Sequence, residues 1–421
     1  MKFLIKTLGC KVNTYESNVM RDILLNEGYE EVLDNADIVI VNTCTVTNTS
    51  DSKSLKVIKQ CIKNNEGCIL IVCGCFSQIS PEKLKDMDGV SIVLGNYNKS
   101  KIMDYIREYQ KNKKQIIDIK DLDKAEFECM KLNNFNKTRA FVKIEDGCEN
   151  FCSYCIIPYS RGKVRSKKRE DVLEEVNTLV NNGHREIVLT GIHTGHYGAD
   201  LENYNFANLL EEICKIDGLE RLRISAIEIT ELDDYFMKVL KDNPKIVDHM
   251  HIPLQSGCDK TLKDMNRKYD TQYFIDKINK IREIRPNMSV TTDVIVGFNN
   301  ETEEDFKETV ETIKKVEFTK LHVFPFSLRK GTKAETMGGF VKENIKKERV
   351  HILLDLSKEL ELKYMNKFIN KEVSFIKEIE KDGYAIGHTD NFLLIKSKIK
   401  TNNDETIKTT IKEINYPYCM D

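Results

Sequence analysis

No apolar run in this chain is long enough to cross a bilayer. The longest, around CILIVCGCF (68–76), is about half of the ~20 residues a membrane helix needs. The opening stretch MKFLIKTLGC holds an apolar run too short for a secretory leader, and Lys6 interrupts it. A soluble, cytoplasmic protein with no membrane partner is expected. An excess of one charge is also missing. The formal net charge is −2, which excludes a globally basic nucleic-acid binder, so any affinity for RNA must come from local patches. Tryptophan is absent, and this excludes nothing. Internal repeats and low-complexity segments are absent too. What remains is 421 residues, 40% hydrophobic, enough for two or three domains with proper cores. Cysteine is plentiful instead. Thirteen cysteines is an odd count that argues against a full set of disulfides. In a reducing compartment, clustered thiols are metal ligands or catalytic groups.

The first hundred residues alternate short β-rich runs with polar helical stretches. KFLIKTL, ADIVIVNTC and CILIVCGC read as strands, with helices over TYESNVMRDILLNEG and SDSKSLKVIKQCIKNN between them. Strands alternating with helices predict a parallel α/β sheet. Each strand runs into a cysteine: Cys10, Cys44 and Cys75. Ligands collect at the carboxyl ends of such strands, so three thiols are expected to converge there. Cys73 lies two residues before Cys75, and in a strand both would face one side. A polar stretch from Glu108 to Lys137 looks like a linker. Strand candidates then resume at AFVKIE, EIVLTGI, RLRISAI, HMHIPLQ, SVTTDVIVGF and KLHVFPF. Six βα units suggest a barrel or an open piece of one. After a long helix, EVSFIKEI, GYAIGHTD, NFLLIKSKI and TIKTTIKEI predict a small all-β barrel of a kind used on nucleic acid. The expected domains are 1–110, a linker at 111–137, a barrel at 138–362 and the β-domain at 363–421.

DGCENFCSYCIIPYSRG (146–162) places Cys148, Cys152 and Cys155 in a C-x3-C-x2-C array and then stops at three. A closed tetrahedral metal site wants four protein ligands. Three thiols so close suit an iron–sulfur cubane with one iron left open to a substrate or cofactor. Zinc sites usually pair two C-x2-C knuckles, a pattern that C-x3-C-x2-C, with one such spacing, does not fit.

That array in a βα barrel resembles the radical S-adenosylmethionine (SAM) enzymes. TLGCKVNTYES, NTCTVTNTS, CGCFSQ, LTGIHTGHYG, HIPLQSG, MNRKY, TTDVIVGF and FPFSLRKGT narrow the resemblance. Together they look like the methylthiotransferase family, and within it the tRNA N6-threonylcarbamoyladenosine enzymes of the MtaB type. The likeness covers nearly the whole chain. It implies two [4Fe–4S] clusters, one held by Cys148, Cys152 and Cys155 and chelating SAM, the other held by Cys10, Cys44 and Cys75 and carrying the sulfur to be transferred. The family's Gly-Cys pair falls on Gly74 and Cys75, which selects Cys75 over Cys73. Cys61, Cys68, Cys129, Cys214, Cys258 and Cys419 have no functional counterpart.

The resemblance also implies SAM contacts at Thr190, Gly191, Glu228 and Val296. Arg161, His193, His196 and Gln255 stand where substrate would be handled. Bland alternatives accompany them: a solvated loop for the two histidines, a surface salt bridge for Arg161 and Glu228. Asn299-Asn300 stands where the family has Pro-Gly, which leaves that loop's geometry open. RGKVRSKKR (161–169) has six basic residues in nine; beside a catalytic mouth it is a candidate for phosphate contact. The C-terminal barrel resembles a TRAM domain, shorter here than usual, with a last strand expected to be missing.

The implied function is transfer of a methylthio group to C2 of N6-threonylcarbamoyladenosine at position 37, in the tRNA anticodon loop. An electron donor, flavodoxin- or ferredoxin-like, and a sulfur source would be partners. Isopentenyladenosine in tRNA and a ribosomal-protein aspartate are alternative substrates within the family. A non-catalytic RNA-binding iron–sulfur redox protein is the alternative of a different class.

Overall fold

The computed structural model describes residues 1–402 and 405–421. The N-terminal segment forms a six-stranded, wholly parallel sheet. Its strands run, edge to edge, Glu30–Glu31, Lys2–Thr7, Ile38–Thr43, Ile69–Gly74, Ile92–Leu94 and Ile116–Asp118. Ile38–Thr43 and Ile69–Gly74 are buried along their whole length, as expected of central parallel strands covered on both faces. The sheet separates two apolar cores, one around Phe3, Met20 and Ile40, the other around Val39, Ile58 and Phe76. The three expected strands are present. Ile116–Asp118 falls inside the stretch expected to be a linker, where Leu122, Met130, Leu132 and Phe135 are also buried. That segment is therefore packed against the body. Its few apolar anchors are too widely spaced to show a strand or helix period.

All six expected barrel strands form: Arg139–Lys143, Glu186–Thr190, Arg221–Ile224, His249–His251, Ser289–Val296 and Lys320–Pro325. They make two three-stranded parallel sheets, which abut at a Leu222–Ile246 bridge. The intervening helices begin where short polar residues can cap them: Asn205, Asp233, Asp270 and Thr302 each accept from the third backbone N–H of their helix. The Asn299-Asn300 loop is held from within. Asn300 takes the left-handed conformation, φ 61°, which asparagine tolerates. The buried Asn299 amide donates to the carbonyls of Ala334 and Gly338 at 2.9 and 2.7 Å.

The C-terminal segment folds as a six-stranded, mostly antiparallel sheet. The last expected strand is split into Thr406–Thr410 and Glu413–Asn415, and Tyr418–Met420 pairs with the latter. This sheet closes the floor of the barrel, meaning the N-terminal ends of its strands. Arg221 donates to the carbonyls of His388 and Ser374, and Arg223 to that of Asp390, at 2.9–3.1 Å. The Phe392 ring lies stacked between His249 and His388, centroids 4.6 and 4.4 Å away, with Arg139 and Arg223 over it. Truncating Phe392 to alanine removes these ring contacts, worth on the order of 2–3 kcal/mol together. The expected result is faster limited proteolysis in the C-terminal sheet with the barrel left intact.

Candidate functional site

Three loops of the N-terminal sheet bring Cys10, Cys44 and Cys75 together. Gly9 adopts φ 107°, and a Cβ there would sit 3.0 Å from that of Cys44. Close approach of the two loops thus requires glycine. Gly74, at φ 101°, turns the chain out of its strand; a Cβ would meet the Thr43 carbonyl at 2.6 Å. Cys75 therefore starts the short helix Cys75–Ile79 and does not follow the strand's alternation. Cys73 faces the apolar core, where burial pushes its thiol up to about 12. The expectation that both cysteines face one side fails at Gly74. Burial raises the thiols of Cys10 and Cys44, and the nearby Cys75 raises each further.

Cys148, Cys152 and Cys155 occupy the loop after the first barrel strand. Burial raises Cys148, and carries Cys155 to about 12 with Cys152 adding to it. Arg267 donates to the Cys152 sulfur at 3.2 Å and pairs with Glu228 at 3.1 Å. Asn150 donates to Glu228 at 2.7 Å. His193 is buried, not solvated: its Nδ1 lies 3.8 Å from the Cys148 sulfur, its backbone donates to the buried Glu145 at 2.7 Å, and its Nε2 meets Glu231. His196 stacks on it, 3.7 Å between ring centroids. The loop histidines, Glu228 and this thiol triad thus form one constellation.

Arg161 is fully buried, which excludes the surface salt bridge. Its guanidinium donates to Glu16 at 2.6 Å, to Asn13 at 2.7 Å and to Asp146 at 3.2 Å. Lys143 joins Glu16 at 2.9 Å and Asp146 at 2.6 Å, and Lys99 also reaches Glu16. Burial alone would raise the Glu16 carboxyl, but Arg161, Lys143 and Lys99 hold it well below the usual range. Asn96 donates to the Cys75 sulfur at 3.5 Å and to the Ser160 carbonyl at 2.7 Å. Arg329, from the last barrel loop, reaches Thr45, Asn48 and Asp51 beside Cys44 at 2.7–2.9 Å. One polar network therefore ties the Cys75 side of the first triad to Asp146, Ser160 and Arg161, which flank the loop of the second.

Asn13, Glu16, Asn96, Arg267 and Arg329 were not singled out from the sequence. Glu16 had a signal, an acid on the buried face of an amphipathic helix. Asn13, Arg267 and Arg329 lay inside quoted motifs without roles, and Asn96 lay outside all of them. Arg165 and Lys167 are also buried, beside Asp146 and Glu175 respectively, so the basic run is not a continuous phosphate-facing stripe.

Thr190 and Gly191 end their strand at the edge of a cavity of about 740 Å³, which Cys10 and Lys11 also line. Gln255 and Val296 stand on neighbouring strand ends. Gln255 has a left-handed backbone, φ 66°, uncommon for a long side chain. The Val296 side chain is buried in the core, so only its backbone can face a ligand.

Among the described residues, His193, His196 and Glu231 are the group whose ligand atoms lie within 4.8 Å of one another. Neither thiol triad is that tight. Tetrahedral thiolates on one zinc ion sit about 3.8 Å apart, so the wider triads suit a polynuclear cluster better. Thiols raised by burial need nearby cations to become ligands.

Residues 142–313 match the radical SAM superfamily, and residues 2–95 match an uncharacterised protein family, UPF0004. The threonylcarbamoyladenosine tRNA methylthiotransferase MtaB of Bacillus subtilis (strain 168) is 43% identical, over 98% of this chain and 94% of that protein. The tRNA-2-methylthio-N(6)-dimethylallyladenosine synthase of the same organism is 35% identical, over 94% and 80%. The radical SAM methyltransferase TsrM from Kitasatospora setae, solved with cobalamin and a [4Fe–4S] cluster, shares the fold. Its TM-score is 0.56 at 14% identity, over 77% of this chain and 74% of that one. No helix among the described residues is long and apolar enough to cross a membrane. Radical SAM enzymes work with a [4Fe–4S] cluster and SAM, and the Cys148, Cys152, Cys155 loop offers three thiols of the kind such clusters take. Sequence identity along almost the entire chain places this protein in the radical SAM tRNA methylthiotransferase family, among the members of the MtaB type.

Proposed function

We propose that the protein transfers a methylthio group to C2 of N6-threonylcarbamoyladenosine at position 37 of tRNA, with one [4Fe–4S] cluster on each thiol triad. The observation that carries this reading is the pair of triads, with one buried network running from Cys75 to the residues that flank the second triad's loop. The relatives named for threonylcarbamoyladenosine support the substrate. When bound, the clusters and SAM supply an electron, a carbon radical able to take hydrogen from an unactivated C–H, and the sulfur and methyl groups. The chain's own residues position these parts. Cys148, Cys152 and Cys155 hold one cluster, and Cys10, Cys44 and Cys75 the other. Arg267 and Asn150 fix Glu228 beside the first triad, where a carboxylate can receive an ammonium group of SAM. Thr190 and Gly191 border the cavity in which the target base would lie. The work is done in the cytoplasm, with an external electron donor and a sulfur source.

The test is nucleoside mass spectrometry. Anaerobically reconstituted protein is incubated with SAM, reductant, sulfide and tRNA from a host lacking 2-methylthio groups. A mass gain of one methylthio group on N6-threonylcarbamoyladenosine is expected. The same gain on isopentenyladenosine alone overturns the substrate. SAM cleavage with no RNA product points to a protein substrate, and no cleavage at all to a redox protein.

A further inference from the structure

We propose that the floor of the barrel cavity reads the polar N6 arm of the target adenine, through Ser289, Thr319 and His249. This rests on the substrate assigned above. The three residues stand at the entry of three neighbouring strands. His249 is in register with Ser289, and the Thr319 backbone donates to the Val290 carbonyl at 2.8 Å. All three line the same cavity and are at least nine-tenths buried. Ser289 Oγ, Thr319 Oγ1 and His249 Nδ1 each lack a hydrogen-bond partner among the described residues. Buried polar groups in native proteins are nearly always paired. Three adjacent orphans on one wall therefore mark a place where a ligand completes the bonding.

The charge higher in the cavity selects the ligand. Lys320 pairs with Glu361 at 3.1 Å, and His251 is engaged by Thr291 and Asp293 at 3.0 and 3.3 Å. Lys11 has no hydrogen-bond or ion-pair partner among the described residues and faces the same space. A polar floor below a lysine that makes no direct ion pair suits an arm bearing a hydroxyl and a carboxylate, as threonylcarbamoyl does. A hydrocarbon arm would leave the three orphans buried and unpaired, which is how a site built for hydrogen bonding rejects an apolar analogue. The depth is adequate. Ser289 at the floor and Asp293 above it lie four residues apart on one strand, about 13 Å.

The test compares reconstituted wild-type protein with Ser289→Ala, Thr319→Val and the double variant. The substrates are anticodon stem-loops carrying N6-threonylcarbamoyladenosine or isopentenyladenosine. Turnover is read by mass spectrometry and affinity by fluorescence anisotropy, with iron content and melting temperature as controls for folding. Each single change is expected to lower kcat/KM on the threonylcarbamoyl stem-loop about tenfold. The double variant should shrink the preference over isopentenyl about a hundredfold, with Thr319→Ser retaining most of it. Equal losses on both stem-loops, or no loss on either, overturn the proposal; ordered water or plain packing then satisfies the floor. Wild-type protein that ignores the threonylcarbamoyl stem-loop overturns the substrate reading itself, before any variant is compared.

Discussion

Cys152→Ala protein is expected to release no 5′-deoxyadenosine from SAM, whereas Cys10→Ala protein still cleaves SAM and transfers no sulfur. The two cysteines belong to loops of different sheets, one after a barrel strand and one at the start of the N-terminal helix Lys11–Asn26. Losing one of three ligands leaves the barrel cluster with two thiols and no single defined open iron, and SAM chelation needs one. Losing Cys10 leaves the barrel loop and its partners Arg267, Asn150 and Glu228 untouched. The measurements are 5′-deoxyadenosine by chromatography, methylthio product by mass spectrometry, and iron content of each variant. If Cys10→Ala abolishes SAM cleavage while the barrel cluster is present, the division of labour between the triads is wrong.

Glu16→Gln should be the most destabilising single change outside the apolar cores. The Glu16 carboxylate is surrounded by Lys99, Lys143 and Arg161, all buried. Asp146 shares two of these cations, so removing Glu16 leaves positive charge in the interior without enough anion. Breaking a buried ion pair from one side costs about 3–5 kcal/mol. That corresponds to a melting temperature lower by on the order of 10 °C. Because the network spans the seam, the N-terminal sheet and the barrel should also lose mutual order, visible as faster hydrogen exchange in both cluster loops. Glu31→Gln, which removes an exposed pair with Arg21, is the control and should cost less than about 1 kcal/mol. Similar melting curves for the two variants would show that the network does not hold the seam.

The parts legible in the sequence were those with a strong local period or spacing. Six barrel strands came from apolar runs, and the C-x3-C-x2-C array from spacing alone. Strands Ile92–Leu94 and Ile116–Asp118 were not legible, because three residues cannot display a period and their pairing is decided by the sheet already formed. Cys73 and Cys75 could not be separated by alternation, since the departure at Gly74 depends on contact with Thr43 in another strand. The burial of Arg161 was not legible for a related reason. A basic residue in a basic run reads as surface, and only the tertiary position of Glu16, 145 residues earlier, reveals that it is interior. The orphans at the cavity floor are ordinary serine, threonine and histidine in sequence; nothing short of the fold aligns them.

The burial of Arg161, Arg165 and Lys167 has a consequence for how the protein meets RNA. Only Lys163, Lys168 and Arg169 of that run reach solvent, and Arg169 is already engaged by Glu170 and Glu212. Each phosphate neutralised releases roughly 0.7–0.9 of a condensed counterion, so this segment adds at most two or three units to the salt slope of binding. With a net charge of −2 over the whole chain, this run is a minor source of charge attraction to RNA. Selection then falls to the enclosed nucleoside itself, and discrimination among anticodon loops should persist at ionic strengths that strip away proteins held by charge.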